Sequence, residues 1–221
     1  ASLLTALGPA FTITTSISGY YNPLRMVRPI VAMPDYDGDG IAEICYNPQG
    51  IWGYAATTIY SPATKSAIFS TTSGGYAIPI SDTTGDGIQE FAVGDYDYGG
   101  YDDPTGEVRV YNGATFDEIW TYNAVYHGWR AHGMGTSIAM IEDLTGDGIP
   151  DLATGCGALG RANTFSPAAV LLLDAANGSL LAITGTSNSI LANKTLGRSL
   201  EAGDIDGDGQ RELLVGRPEV H

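Results

Sequence analysis

Basic residues are scarce in this sequence. Ten lysines and arginines stand against 25 aspartates and glutamates, which gives a formal net charge of −15 at pH 7. Only two of the basic residues are lysines, Lys65 and Lys194. A surface this acidic repels the phosphates of nucleic acids and of anionic membranes. We therefore expect neither a nucleic acid nor a membrane surface as a partner.

Long apolar runs and closely spaced cysteines are also missing. No run approaches the roughly 18 to 20 apolar residues of a membrane span, so we expect no membrane insertion. The N-terminal stretch ASLLTALGPA has neither an initiator methionine nor a basic flank, and we expect the chain to be processed or excised. Cys45 and Cys156 form no CxxC motif and are expected to be buried free thiols.

Glycine and tyrosine, by contrast, are abundant. The 221 residues include 30 glycines and 13 tyrosines, a composition that favours many turns and strands. Hydrophobic residues make up 43% of the chain and charged residues 16%, which suits a folded globule. The length allows one all-β domain or at most two smaller domains. We therefore expect an all-β fold.

One acidic nonapeptide occurs four times. Its copies are DYDGDGIAE (Asp35 to Glu43), DTTGDGIQE (Asp82 to Glu90), DLTGDGIPD (Asp143 to Asp151) and DIDGDGQRE (Asp204 to Glu212). Consecutive copies begin 47, 61 and 61 residues apart, close to or somewhat above the periods of propellers and solenoids. The repeating unit is therefore a supersecondary element.

Each nonapeptide lies within the same order of apolar segments. In the third repeat TSIAMIE precedes the nonapeptide, and PDLATG, AAVLLLD and SLLAITG follow it. This order predicts four strands per repeat, and hence a single β-propeller domain of four-stranded blades over residues 1–221. The predicted blades are residues 28–72, 75–123 and 136–185, with half a blade at 197–221.

The other half of the fourth blade is predicted at the start of the chain. Residues 1–20 contain SLLTAL, a Gly-Pro turn and FTITTSI, which look like a third and a fourth strand. Pairing of the two halves within one molecule would close a ring of four blades and remove its open edges. Pairing between molecules would instead continue as a fibre. The chain could also be an excised part of a longer tandem protein, and the sequence leaves these alternatives open.

Oxygen-bearing groups recur at fixed positions of the nonapeptide. Positions 1, 3 and 5 carry Asp or Thr, position 7 offers its carbonyl, and position 9 is always acidic. The predicted metal ligands are Asp35, Asp37, Asp39, Ile41 and Glu43; Asp82, Thr84, Asp86, Ile88 and Glu90; Asp143, Thr145, Asp147, Ile149 and Asp151; and Asp204, Asp206, Asp208, Gln210 and Glu212. Glycine at positions 4 and 6 allows a sharp turn, often through positive φ, that points alternate residues inward.

Calcium is the cation that these ligands favour. Ca²⁺ takes six to eight oxygens in flexible geometry, whereas Mg²⁺ prefers a tighter octahedron and retains its waters. Zinc and copper favour histidine or cysteine, and no copy contains either. An EF-hand requires Glu at position 12, where this sequence has Tyr46, Val93, Thr154 and Val215. We expect about four structural Ca²⁺ ions, one in each loop.

The stretches LGRSLEAGDIDGDGQRELLVGRP and MGTSIAMIEDLTGDGIPDLATG resemble FG-GAP repeats, the blades of integrin-α-like β-propellers. The resemblance covers nearly the whole chain and is weakest at the first repeat, where ICYNPQG replaces the usual ending. It implies a calcium ion in the loop between the first two strands of each blade. Integrin-type propellers have seven blades, so the resemblance does not extend to their ligand-binding face.

Two further segments are candidate glycan contacts. Residues 126–135, YHGWRAHGMG, include Trp129 and Arg130, which suit sugar faces and acidic groups, although a connecting loop with a packed Trp is the simpler interpretation. Residues 95–106, DYDYGGYDDPTG, include Tyr98 and Tyr101, and a solvated acidic loop is the default interpretation there.

The sequence thus favours a non-enzymatic extracellular or cell-surface calcium-binding propeller with a structural or adhesive role. Its expected partners are other copies, joined through half blades into a fibre, and a glycan or protein ligand on the loops. Sequons at Asn177 and Asn193 fit a secreted glycoprotein. A lectin-like propeller and a polysaccharide-degrading enzyme are the alternatives, the latter with His127, His132 and Arg130 as its available groups. No GxSxG motif or P-loop is present.

Overall fold

The computed structural model describes residues 30–47, 56–71, 74–95, 106–123, 133–156, 169–184 and 196–216. These ranges contain fourteen strands and no helix, which confirms the all-β prediction. None of their residues belongs to a helix long and apolar enough to cross a membrane. The strands are β1 (Val31–Met33), β2 (Glu43–Tyr46), β3 (Thr58–Ser61), β4 (Ser66–Ser70), β5 (Tyr76–Pro79), β6 (Phe91–Asp95), β7 (Glu107–Tyr111), β8 (Glu118–Asn123), β9 (Met134–Met140), β10 (Leu152–Cys156), β11 (Ala169–Leu173), β12 (Leu180–Thr184), β13 (Leu200–Gly203) and β14 (Glu212–Val215).

The strands form three four-stranded sheets and one two-stranded sheet. Strands β1 to β4, β5 to β8 and β9 to β12 pair in chain order, and β13 pairs with β14. Every pairing is antiparallel. In the third repeat, strands β9 to β12 overlap the four predicted segments TSIAMIE, PDLATG, AAVLLLD and SLLAITG. The predicted closing half blade, residues 1–20, lies outside the described residues.

The hydrophobic cores lie between consecutive sheets. One cluster joins the first two sheets through Cys45, Ile59 and Phe91. A larger cluster joins the second and third sheets through residues such as Val108 and Leu152. A third cluster lies between the third and fourth sheets and includes Ala139, Val170 and Leu200. Because β6 and β10 are covered on both faces, all of their residues are buried.

The first strands of consecutive sheets are neighbours. Strand β1 contacts β5, β5 contacts β9, and β9 contacts β13. Glycines permit a backbone-to-backbone approach beside these strands. A Cβ atom on Gly94 would lie 2.2 Å from the carbonyl oxygen of Gly135, and one on Gly155 would lie 1.7 Å from that of Gly197. No side chain fits at such distances, so the sheets touch main chain to main chain at these points.

The hairpins between the third and fourth strands of the three larger sheets share one turn. In each, the amide of the fifth residue donates to the carbonyl of the first: Lys65 to Ser61, Phe116 to Asn112 and Gly178 to Asp174. The fifth residue has a positive φ in all three. Ser61, Asn112 and Asp174 are therefore structurally equivalent, and all three are buried.

Candidate metal centre

The four acidic nonapeptides occupy equivalent places in the fold. Each connects the first and second strands of a sheet: β1 to β2, β5 to β6, β9 to β10 and β13 to β14. Because the two strands are antiparallel neighbours, positions 1 and 9 of each nonapeptide lie at the same end of its sheet. We call the nonapeptides loops 1 to 4.

The aspartate at position 1 organises each loop. Its two carboxylate oxygens accept hydrogen bonds from the amides of the glycines at positions 4 and 6. The N···O distances are 2.7 and 2.7 Å for Asp35, 2.6 and 2.8 Å for Asp82, 2.6 and 2.7 Å for Asp143, and 2.6 and 3.0 Å for Asp204. A carboxylate that accepts amide bonds on both oxygens fixes the turn around itself.

The glycines supply the backbone conformation that this turn requires. Their φ angles lie between 76° at Gly38 and 91° at Gly209, a region that side chains with a Cβ atom rarely enter. No atom lies within 4 Å of a Cβ built on any of these eight glycines, so conformation and not space selects glycine. The expected positive φ at positions 4 and 6 is confirmed.

Two further contacts repeat in all four loops. The carboxylate at position 5 accepts the amide of position 7 at 2.8 Å in every copy. The carboxylate at position 9 accepts the amide of position 2, at distances from 2.5 Å for Glu90 to 2.8 Å for Glu43 and Asp151. The loops thus share one backbone geometry despite their different residues at positions 2 and 3.

The position 9 carboxylates are the most deeply placed acids of the loops. Glu43, Glu90 and Asp151 are 0% exposed, whereas Glu212 is half-buried. Burial raises the pKa of Glu43, and the nearby carboxylates of Asp37 and Asp35 raise it further, against the hydrogen bond from the Tyr36 amide. Burial likewise raises the pKa of Asp151. Both acids are therefore costly to ionise in the absence of a cation.

Two exposed carboxylates, those of Asp143 and Asp86, have lowered pKa values. Hydrogen bonds from the amides of Gly148 and Gly146 lower the pKa of Asp143. A side-chain hydrogen bond from Asn112, followed by the amide of Ile88, lowers the pKa of Asp86. These two groups remain anionic at neutral pH and are available as oxygen donors.

Carboxylate oxygens converge in three of the four loops. Ligand atoms lie within 4.8 Å of one another in the sets Asp35, Asp37 and Asp39; Asp82, Asp86 and Glu90; and Asp204, Asp206 and Glu212. Among the described residues, loop 3 has no such set. There both oxygens of Asp151 are already used, by the amides of Leu144 at 2.8 Å and Ala175 at 3.2 Å.

The loops fit a hard divalent cation. Oε1 of Glu43 is buried and has no hydrogen-bond partner, and a buried carboxylate oxygen without a partner is unfavourable. Within the described part of the chain, no lysine, arginine or histidine pairs with a loop carboxylate. The donors are all oxygens, which suits calcium and not zinc or copper.

Comparison with known proteins bears directly on the third and fourth loops. Residues 143–215 match the family model of the FG-GAP-like repeat. The match confirms the predicted resemblance to FG-GAP repeats, and it includes both Asp143 to Asp151 and Asp204 to Glu212. A comparison with curated proteins found no match.

The solved structures that match this chain in a structural comparison include two lyases. The Bacillus licheniformis rhamnogalacturonan lyase PL11 is 19% identical, with a TM-score of 0.48 over 85% of this chain and 39% of that one. The exotype rhamnogalacturonan lyase YesX is 16% identical, with a TM-score of 0.47 over 86% of this chain and 38% of that one. This chain therefore spans less than two fifths of the length of either structure.

Residues outside the nonapeptides also contact the loops, and the repeat pattern of the sequence does not predict these contacts. Nδ2 of Asn112, after β7, donates to Oδ2 of Asp86 in loop 2 at 2.9 Å. The equivalent hairpin after β11 donates the amide of Ala175 to Asp151. The available signal was a polar residue, Asn112 or Asp174, directly after the third strand of each repeat.

Tyr36, at position 2 of loop 1, reaches the next sheet. Its ring lies 5.6 Å from that of Phe91 and 6.1 Å from that of Phe116, between centroids. Its hydroxyl lies 3.4 Å from the carbonyl oxygen of Glu90. Loop 1 and loop 2 are thereby connected through one buried side chain.

The other candidate sites have different outcomes. Tyr98, Tyr101, Trp129, Arg130, His127, His132 and Asn193 all lie outside the described residues. Asn177 is exposed in the hairpin after β11, where its Nδ2 donates to Asp174 at 2.7 Å. Cys45 and Cys156 are free and buried, as predicted.

Proposed function

We propose that this chain is an extracellular, non-enzymatic calcium-binding β-propeller module with a structural or adhesive role. The observation that carries the proposal is the fourfold repetition of one loop geometry. In it, a carboxylate at position 9 is buried or half-buried and has no basic partner among the residues that the structure describes. A cation in each loop explains both the geometry and the charge.

Electrostatics supports a bound cation. Each loop brings three or four carboxylates to one end of a sheet, and like charges at such separations repel one another. Backbone amides of the loops offset part of this repulsion, since every position 1, 5 and 9 carboxylate accepts at least one of them. Amide dipoles add no net charge, whereas a divalent ion offsets two of the three or four negative charges of a loop.

The cation would have a structural role. Its ligands at positions 1 and 9 flank the turn between the first and second strands of a sheet, so a bound ion would hold the two strand ends together. Extracellular modules bind calcium with dissociation constants of about 10⁻⁴ to 10⁻³ M. With a constant of about 0.1 mM and about 2 mM free calcium, one site stabilises the fold by about 1.8 kcal/mol.

The proposed extracellular location agrees with this affinity range. Sites of such affinity would stay empty at the low calcium concentration of the cytosol and would fill outside the cell. The proposed propeller arrangement is supported by the contacts between consecutive first strands and by the cores that lie between consecutive sheets.

Calcium-dependent stability tests the proposal. The full chain is unfolded by heat in calcium, in magnesium and in excess chelator, and calcium binding is measured by titration calorimetry. We expect calcium to raise the melting temperature by at least about 5 °C. A variant with asparagine at position 5 of every loop, Asp39, Asp86, Asp147 and Asp208 each replaced, should lose this response. Identical melting curves in calcium and chelator would contradict the proposal.

A further inference from the structure

We propose that Asn112 is a positioning residue of the second cation site, holding Asp86 and Thr84 in the arrangement that receives the ion. Asn112 belongs to the hairpin between β7 and β8 and lies outside the acidic nonapeptide. The inference rests on the proposed calcium-binding function and adds a residue on which the affinity of one particular loop depends.

Asn112 uses both protons of its amide group on loop 2. Nδ2 donates to Oδ2 of Asp86 at 2.9 Å and to Oγ1 of Thr84 at 3.3 Å. Asn112 is only 9% exposed, whereas Thr84 and Asp86 are exposed, so the donor of both contacts is shielded from water and the acceptors are open to the solvent. Two predicted ligands, at positions 3 and 5, are thus held by one side chain.

The hairpin fixes the orientation of the Asn112 amide group. Oδ1 accepts hydrogen bonds from the amides of Ala114 at 2.9 Å and Thr115 at 2.7 Å. Rotating the amide by 180° would direct NH₂ at two N–H donors and the oxygen at the carboxylate of Asp86, which would replace three of the four hydrogen bonds by repulsive contacts. The Nδ2 group of Asn112 is therefore held in the orientation that donates to loop 2.

The contact extends to the ligand at position 9. Oγ1 of Thr84, which accepts from Asn112, donates to Oε1 of Glu90 at 2.8 Å. The pairing of Phe91 with Tyr111 places Glu90 and Asn112 at the same end of neighbouring strands. Asn112 thus touches two predicted ligands directly and a third, Glu90, through Thr84.

The hairpin backbone lies directly against loop 2. A Cβ atom on Gly113 would lie 2.0 Å from the carbonyl oxygen of Gln89 and 2.6 Å from Cε1 of Tyr36. The absence of a side chain at Gly113 allows the approach that brings Asn112 within hydrogen-bond distance of Asp86. The position of Asn112 is therefore set by the packing of the hairpin.

The other loops show what this contact accomplishes. Loops 2 and 3 both carry Thr at position 3 and so have one carboxylate fewer than loops 1 and 4. In loop 2 the remaining carboxylates still converge within 4.8 Å, whereas in loop 3 they do not.

The hairpin residue distinguishes these two loops. Asp174, the equivalent of Asn112, accepts from the amide of Ala176 and from Nδ2 of Asn177, both within its own hairpin. A carboxylate has no proton to donate at neutral pH, so Asp174 cannot hold loop 3 as Asn112 holds loop 2.

Calcium titration of the full chain tests the role of Asn112. Titration calorimetry compares wild type with Asn112→Ala, and melting temperatures are recorded in calcium and in chelator. Residues that orient metal ligands typically change affinity by 10- to 100-fold, so we expect about a tenfold rise in one dissociation constant with the stoichiometry unchanged. Asn177→Ala is the matched control, because its amide group contacts Asp174 and no carboxylate of a loop.

Repeating the titration in an Asp82→Asn variant shows whether the changed dissociation constant belongs to loop 2. Asp82→Asn removes a ligand of that loop, and adding Asn112→Ala to it should leave the remaining dissociation constants unchanged. The proposal is overturned if Asn112→Ala lowers the melting temperature equally in calcium and in chelator while every dissociation constant stays the same. If wild type binds no calcium, the proposed function itself fails, and the role of Asn112 fails with it.

Discussion

The backbone amide of Tyr36 donates a hydrogen bond of 2.8 Å to Oε2 of Glu43, while Oε1 of the same carboxylate is buried without a hydrogen-bond partner. One oxygen of this group thus serves the fold of loop 1. The other has no group in the described protein to compensate its loss of water. Glu43 is accordingly expected to make opposite contributions to stability with and without calcium.

Replacing Glu43 by glutamine separates these contributions. In chelator, Glu43→Gln removes a buried charge and should stabilise the fold or leave it unchanged, within about 1 kcal/mol. In calcium the variant should lose the contribution of one site, about 1.8 kcal/mol. Urea unfolding under both conditions measures the difference. Glu201→Gln, at an exposed position of β13, is the control and should behave as wild type, and equal losses for Glu43→Gln in both conditions would contradict the prediction.

Loop 3 should be the weakest cation site. Its position 9 residue, Asp151, is one methylene shorter than Glu, and among the described residues loop 3 has no set of carboxylate oxygens within 4.8 Å of one another. We expect Asp86→Asn to remove more of the calcium-induced rise in melting temperature than Asp147→Asn at submillimolar calcium. The reverse order would show that convergence of carboxylates in the absence of an ion does not determine affinity here.

A pH-dependent loss of stability is expected from Glu107. Burial raises its pKa to about 7 from the ordinary 4.5, although the guanidinium of Arg109 opposes the shift. A carboxyl with a raised pKa in the folded state favours folding below its ordinary pKa and loses that contribution as pH rises through 7. The loss should reach at most about 3 kcal/mol.

Comparison with Glu107→Gln isolates this titration from the acidic loops, which are the same in both proteins. Unfolding free energies are measured between pH 4 and pH 8 at fixed saturating calcium. Relative to the variant, wild type should become less stable as pH rises. Parallel curves would contradict the assignment of a raised pKa to Glu107.

Backbone contacts between sheets make some glycines irreplaceable. Gly94→Ala should destabilise the fold by at least about 1 to 3 kcal/mol, the usual cost of overpacking, because its Cβ would lie 2.2 Å from the carbonyl oxygen of Gly135. Gly203→Ala is the control, since no atom lies within 4 Å of a Cβ built there. Urea unfolding of both variants checks the prediction, and a neutral Gly94→Ala would contradict it.

The two buried thiols should report on calcium removal. Burial raises the pKa of the Cys45 thiol to about 12, and it also raises the pKa of the Cys156 thiol. Neither thiol should therefore react with a thiol reagent in the folded protein. Cys45 follows the predicted ligand Glu43 by two residues. In a Cys156→Ala background, chelator should therefore accelerate the modification of Cys45. An unchanged rate would show that the end of β2 stays closed without the ion.

Much of this architecture was predictable from local pattern. The order of apolar segments predicted the strands because alternation and turn residues act over a few neighbours, and the paired glycines predicted the positive φ at positions such as Gly38 and Gly40. The role of Asn112 was not predictable in the same way. It lies 22 residues after Glu90, and its contact with Asp86 depends on the pairing of β6 with β7 and on the packing of Gly113.

The different surroundings of the position 9 carboxylates in loops 2 and 3 were also not predictable from the sequence. Glu90 and Asp151 are both acids at position 9 and look interchangeable in the repeat. Their surroundings differ because Ala175 donates its amide to Asp151, while Thr84 donates its hydroxyl to Glu90. The contact of Ala175 with Asp151 arises from the docking of a hairpin 24 residues away, which residue spacing does not encode.

Gly94 faces Gly135, and Gly155 faces Gly197, with main chain against main chain. Contacts of this kind involve main-chain atoms only. At these points the approach of neighbouring sheets therefore does not depend on the identity of any side chain, provided that these glycines remain. A duplicated sheet would find a compatible neighbour from the outset, which gives a physical basis for growth of the chain by repetition of a single unit.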